Sequence, residues 1–236
     1  MILFRDDFER YILVIVAALV SILGAAFADN GPILDKLLIA CIILSILFCR
    51  KNKDTATSLA IVLLGQLLYE LFKTIYIQTH IWSISFYLFG AISIVVCSVD
   101  RWRYPLKGLI IVCITAHLFW VYQDYNSPFI AWHWFVISIN LIQRQLFLIR
   151  FSILIKYLNY DSNPTKLDFI LRSYYSLPLI IEFANICEYL IRHLTHYNPL
   201  VIYSLYAQVH YISLLILLFV TIATTIKQSR DQKLIA

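Results

Sequence analysis

Apolar residues run along this chain in long blocks, without the strict alternation of a half-buried strand, and short polar or charged breaks separate them. A membrane-crossing helix needs about 17–25 mostly apolar residues. Blocks of that kind fall at 11–28, 33–49, 58–78, 82–99, 107–124, 128–149, 173–195 and 199–226. The pattern predicts an all-α integral membrane protein, a bundle of about eight transmembrane helices. The largest stretch between blocks, 150–168, has "NYDSNPTK" as its polar centre and is too short to bury a core of its own. Residues 1–236 therefore read as one membrane domain with no soluble domain.

Composition points the same way. The 236 residues are 61% hydrophobic and 14% charged, whereas soluble domains run near half apolar and a quarter charged. Charge then supplies orientation, because cytoplasmic loops retain Lys and Arg. Arg50, Lys51 and Lys53 follow the second block; Arg101, Arg103 and Lys107 the fourth; Arg150, Lys156 and Lys166 the sixth; and Lys227, Arg230 and Lys233 the last. The opposite loops, "ADNGP", "QTHI", "DYNSP" and "THYNP", carry no Lys or Arg. Both termini are expected on the cytoplasmic side, in the inner membrane if the source is bacterial. Topology thus accounts for the net charge of +5, and nucleic acid is not an expected partner. The expected partners are the lipid bilayer and either a second copy of the chain or another membrane subunit.

Trp82, Trp120, Tyr122, Tyr125, Trp132, Trp134 and Tyr197 gather at the outer ends, with Trp102, Tyr104, Tyr157 and Tyr160 at the inner ones, as interfacial belts require. Ala26-Phe27-Ala28 offers a small-residue cleavage site, so 1–28 has a rival reading as a signal peptide. The acidic "MILFRDDFER" before it is the wrong charge for such a leader. The small residues Ala17, Ser21, Gly24, Ala25 and Ala28 form a ridge expected to face another helix, the second span first. None of Cys41, Cys49, Cys97, Cys113 and Cys187 lies in an outer loop or in a CxxC pair, so no disulfide framework is indicated.

Two outer turns read alike, Asn30-Gly31-Pro32 and Asn126-Ser127-Pro128, at an offset of 96, and Glu70 aligns with Glu188 at an offset of 118. The difference matches the long connection after the sixth span. Two tandem four-helix halves, 1–100 and 101–236, would explain it as a parallel repeat; the favoured alternative is that Asn-x-Pro is common turn chemistry and that apolar helices look alike.

The chemistry of interest lies inside the blocks. "EFANICEYLIRH", 182–193, places Glu182, Asn185, Glu188, Tyr189, Arg192 and His193 within an arc of about 140° at 100° per residue. Glu188 and Arg192 stand at i,i+4 in the acid-first order that favours pairing. Gln66, Glu70 and Lys73 share a narrow arc of the third span; His133, Asn140, Gln143 and Arg144 share one of the sixth; and Tyr203, Tyr206, His210, Ser213, Thr221 and Thr224 form a stripe on the eighth. The first two spans look featureless beside them. The expectation is a polar interior built from spans three, six, seven and eight. Charges in hydrocarbon cost roughly 2.5–3.5 kcal/mol each on insertion scales, so Glu182, Asn185, Glu188, Arg192, Glu70, Lys73, Asn140, Arg144, His117, His133 and His210 are the site candidates. Glu182 and Arg144 stand out, since neither has an oppositely charged partner on its own helix. His80, His193 and His196 lie at outer ends, which suggests an outward-facing polar vestibule.

Three functions compete on these residues. The first is a channel, a transporter or a membrane subunit handling a small polar or ionic solute, linked to protonation of Glu182 or a histidine. The second is a membrane-embedded sensing or scaffold module acting through protein partners. The third, an enzyme with His117, His133 and His210 holding haem or a metal, is disfavoured. HExxH is absent, the five glycines form neither GxGxxG nor a P-loop, and no cofactor is expected.

Overall fold

The structure, a computed structural model, describes residues 2–26, 31–75, 80–125, 130–195 and 197–235. Among them the chain is helical apart from short connections: α1 (Ile2–Ala26), α2 (Gly31–Phe48), α3 (Lys53–Ile75), α4 (His80–Val96), α5 (Arg103–Tyr122), α6 (Ile130–Leu158), α7 (Lys166–Tyr174), α8 (Ser176–Leu194) and α9 (Val201–Ile235). Among the described residues, four stretches are long and apolar enough to cross a membrane: Lys53–Thr74, Arg103–Tyr122, Ile130–Leu158 and Val201–Lys227. Val14–Ala26 and Trp82–Val96 are apolar but shorter. The all-helical class expected from the apolar blocks is thus present, with four of the expected spans meeting both length and hydropathy.

The stretch 150–168 is more ordered than its composition suggests. α6 continues to Leu158, well past the end of its apolar block, and stops where Asn159 takes a left-handed conformation, φ 47°. Asparagine tolerates that region better than most residues, and it commonly ends helices. Asp124 does the same after α5, φ 51°, with the Tyr125 N–H returning to the Trp120 carbonyl. α7 then begins at a capping box. The Thr165 hydroxyl accepts from the Asp168 N–H, and the Asp168 carboxylate accepts from the Thr165 N–H.

The described chain divides into two compact units, Leu67–Ala207 and a second formed by Met1–Gln66 with Gln208–Ala236. In the first, α6 is the central helix, packed by α4, α7 and α8, with α5 against α4 and α8. Its surroundings explain its sequence. The consecutive residues Trp134, Phe135, Val136, Ile137, Ser138, Ile139, Asn140 and Leu141 are all buried and cover every side of the helix, as befits a helix enclosed all round. α4 approaches it through small residues. A Cβ on Gly90 would stand 3.0 Å from the Trp134 ring, and the Ser93 and Ser138 hydroxyls lie 3.2 Å apart across the contact.

In the second unit Gly24 of α1 packs on α9. A Cβ there would lie 2.6 Å from Leu215 Cδ1, and the Tyr211 hydroxyl donates to the Gly24 carbonyl. The small-residue ridge was expected to meet α2 first; at Gly24 it meets α9 instead, while Ser21 and Ala25 are exposed and Ala28 lies outside the described residues. α2 is not featureless either, since it buries Asp35 at 4% exposure.

Candidate functional site

The polar residues of α6, α8 and the start of α9 converge. Glu182, 2% exposed, receives two hydrogen bonds from other helices. His133 Nδ1 of α6 lies 2.6 Å from Glu182 Oε2, and the Tyr206 hydroxyl of α9 donates to Oε1 at 2.5 Å. The second imidazole nitrogen of His133 is 3.3 Å from the Asn185 amide nitrogen. An amide N–H donating to Nε2 leaves the imidazole proton on Nδ1, facing the carboxylate, because the partners of the two ring nitrogens fix the tautomer. Tyr206 also stands edge-on to the His133 ring, with centroids 5.8 Å apart. Carboxylate, imidazole, phenol and amide thus form a continuous chain across three helices. All take part in hydrogen bonds, and the carboxylate and imidazole are the members that can exchange a proton.

The geometry follows from helix periodicity. Glu182 and Asn185 are separated by three residues and so rise on the same face of α8, opposite His133. The sequence singled out all three; Tyr206 was visible only as one member of the α9 stripe.

The other candidates are placed elsewhere. Glu188 does not pair with Arg192 as their spacing predicted. Its carboxylate accepts from the N–H groups of Ile202, 2.6 Å, and Tyr203, 3.1 Å, in the first turn of α9. Those amides have no intrahelical acceptor, and a carboxylate there also meets the positive end of the helix dipole. Long-range capping outweighs the local ion pair. Arg192 instead lies over the rings of Tyr203, 5.2 Å, and Tyr189, 5.6 Å, within the range of cation–π attraction.

Arg144 lacks a partner on its own helix, yet it is fully engaged. Its Nε meets Asp100 Oδ2 at 2.9 Å, its Nη1 donates to the Arg172 carbonyl at 2.8 Å and to the Ser176 hydroxyl, and both charges are buried. Asp100 sits in the connection between α4 and α5, among arginines, where loop charge-counting gives no hint of burial. Two turns further along α6, Arg150 grips Asp168 with two hydrogen bonds, 2.9 and 2.8 Å, and donates to the Asn163 carbonyl. The sequence signal for Asp168 was available: Thr165-x-x-Asp168 has the capping-box spacing.

Glu70 and Lys73 form the expected i,i+3 pair at 3.2 Å, with side chains 27% and 40% exposed. The Asn140 amide donates to the Val136 carbonyl of its own helix, 2.8 Å, and Gln143 donates to the Tyr175 hydroxyl, 3.1 Å. His117 packs edge-on to Tyr87, centroids 5.6 Å apart, and His210 belongs to the other compact unit. His193 stacks on Tyr189, 4.1 Å between centroids, and meets the Tyr125 hydroxyl at 2.7 Å. His196 lies outside the described residues. Among the described residues, no three His, Cys, Asp or Glu side chains are grouped to hold a metal ion. Of the candidates, then, Glu182, Asn185 and His133 come together, and the rest serve separate contacts.

Compared with protein-family models, with characterised proteins and with solved structures, the chain finds no match in any of the three. The functional reading rests on the geometry alone.

Proposed function

We propose that the chain is a multi-pass integral membrane protein of the channel, transporter or membrane-subunit kind. In this reading α1–α6, α8 and α9 are the eight spans, α7 belongs to a cytoplasmic connection, and both termini are cytoplasmic. The membrane part is supported by an inverted distribution of polarity. Ile84, Leu88, Ile92 and Val95 stand 57–71% exposed along one side of α4, while Glu182, Arg144 and Asp100 are buried. A water-soluble monomer rarely exposes contiguous apolar surface of that kind; a bilayer requires it.

The solute-handling part is carried by one observation, the Glu182–His133–Tyr206–Asn185 chain. An intramembrane carboxylate is costly enough to mark a pathway or a relay, and here it contacts groups that can pass a proton between three helices. Glu182 serves as the proton or cation acceptor, His133 as its relay, and Tyr206 and Asn185 fix the two in register. The solute is small and polar or ionic.

A specific observation favours the second reading, a sensing or scaffold module. Arg144–Asp100, Arg150–Asp168 and the Glu188 cap are closed structural contacts, and the Glu182 chain would be a fourth of that kind. Reaction with a membrane-permeant carbodiimide, followed by mass spectrometry of peptides, separates the two. A relay open to exchange gives modification at Glu182 with Asp100 and Asp168 unmodified. A closed network leaves Glu182 as unreactive as Asp100, and that result would overturn the solute-handling reading.

A further inference from the structure

The first compact unit contains a cavity with no polar role in the site above. It has a volume of about 350 Å³ and is walled by Leu68 and Phe72 of α3, Trp82, Ser85, Phe86 and Phe89 of α4, and Phe135 and Ile139 of α6. That volume lies at the lower end of the range for ligand pockets, about 300–1,000 Å³. Apart from the Ser85 hydroxyl, the wall is hydrocarbon and aromatic. Such cavities stay dry and take apolar ligands. Phe86 and Phe135 form its floor, each 2% exposed. Leu68, Phe72, Trp82 and Phe89 are half-buried and Ser85 is exposed, so the cavity opens on the outside of the helices.

Its position along the helices identifies the occupant. The wall residues lie two to nine positions from the start of α4, five and nine from the start of α6, and three and seven from the end of α3. At a rise of 1.5 Å per residue all fall within about 14 Å of the helix ends, which is one leaflet of a hydrocarbon core about 30 Å thick. Those three helix ends share the outer side in the topology proposed above. Lys73, 40% exposed and beside Phe72, places an ammonium group at headgroup depth, where it also pairs with Glu70 at 3.2 Å. His133, in contrast, points to the other side of α6, so the cavity is separate from the Glu182 chain.

We propose that this cavity is a binding site for one acyl chain of an outer-leaflet phospholipid, with the phosphate at the level of Lys73. The aromatic wall grips the chain by contact area, and Trp82 closes the rim at the interface. The proposal rests on the membrane reading but not on any activity of Glu182.

The test is photolabelling in nanodiscs made with a phospholipid carrying a diazirine in its acyl chain, with labelled positions read by mass spectrometry. Labels should concentrate on Phe72, Phe86, Phe89 and Phe135 over the exposed Leu88 and Ile92 of α4. Ser85→Trp fills the mouth from its exposed side and should cut wall labelling about tenfold, the effect of losing roughly two methylenes of burial. Ile84→Trp adds the same bulk outside the cavity and should leave labelling unchanged; helical circular dichroism verifies that both variants fold. Equal labelling of Leu88, Ile92 and the wall, insensitivity to Ser85→Trp, or displacement by free fatty acid at stoichiometric concentration would overturn the site. Absence of labelling anywhere on the chain would instead overturn the membrane reading together with it.

Discussion

Glu188 illustrates how a side chain chooses among partners. An exposed i,i+4 ion pair is worth about 0.3–0.5 kcal/mol, whereas capping orphaned helix amides is worth about 0.5–2 kcal/mol, and the Ile202 and Tyr203 amides offer two such bonds to one carboxylate. Glu188→Ala should therefore destabilise the protein by about 1–2 kcal/mol, read as a lower midpoint of thermal unfolding in detergent. The charge swap Glu188→Arg with Arg192→Glu should fail to restore it, although it would if the two formed a closed pair. Arg144 presents the opposite case, a charge whose value depends on its partner. Arg144→Met leaves the Asp100 carboxylate buried and uncompensated, at a cost of about 3–5 kcal/mol. Adding Asp100→Leu should recover most of that loss, because a buried ion pair and an apolar pair of similar volume differ little in stability. A double variant as unstable as the single one would mean that the Arg172 and Ser176 contacts carry the stability.

At the scale of elements, helix identity was legible because eight apolar blocks of near-membrane length leave little alternative, and α4, α5 and α8 fall close to their expected blocks. Helix ends were less legible. α6 overruns its apolar block to Leu158 because the buried Arg150 is held by Asp168, a contact that hydropathy reads as a loop charge. α7 escaped for the same reason, since nine residues interrupted by Lys166, Asp168 and Arg172 are too short to form an apolar block, although Thr165 and Asp168 spell its cap. In the site, arcs on single helices singled out Glu182 and Asn185 on one helix and His133, with Asn140, Gln143 and Arg144, on another. Which arcs face one another is a tertiary fact, and so Tyr206 and Asp100 gained their importance only in three dimensions. Packing between α4 and α6 gives a prediction at this scale. Gly90→Leu drives a branched side chain into Trp134 and Ile110, and overpacking of that kind costs about 1–3 kcal/mol; Gly108→Leu on α5, where nothing lies within 4 Å of the added Cβ, should leave the unfolding midpoint unchanged.

Within Leu67–Ala207, Glu182, Arg144 and Asp100 are buried, apolar side chains of α4 are turned outward, and a carboxylate–imidazole–phenol chain links three helices. The proposed orientation predicts that an impermeant thiol reagent in intact cells reaches a cysteine introduced at Asn30 or Asn126 and misses one at Asn52 or Asp161; labelling at Asn52 would invert the topology. The central claim concerns Glu182, and proton flux tests it most directly. Purified protein would be reconstituted into vesicles holding a pH-sensitive dye, with a membrane potential imposed and a panel of small ions, amino acids and sugars supplied outside. The wild type should move protons faster than protein-free vesicles. Glu182→Gln, which keeps the hydrogen-bonding shape but loses titration, should fold with the same helical content and fall to the protein-free rate. Wild-type flux equal to that of empty vesicles, or a Glu182→Gln variant as fast as the wild type, would contradict the account.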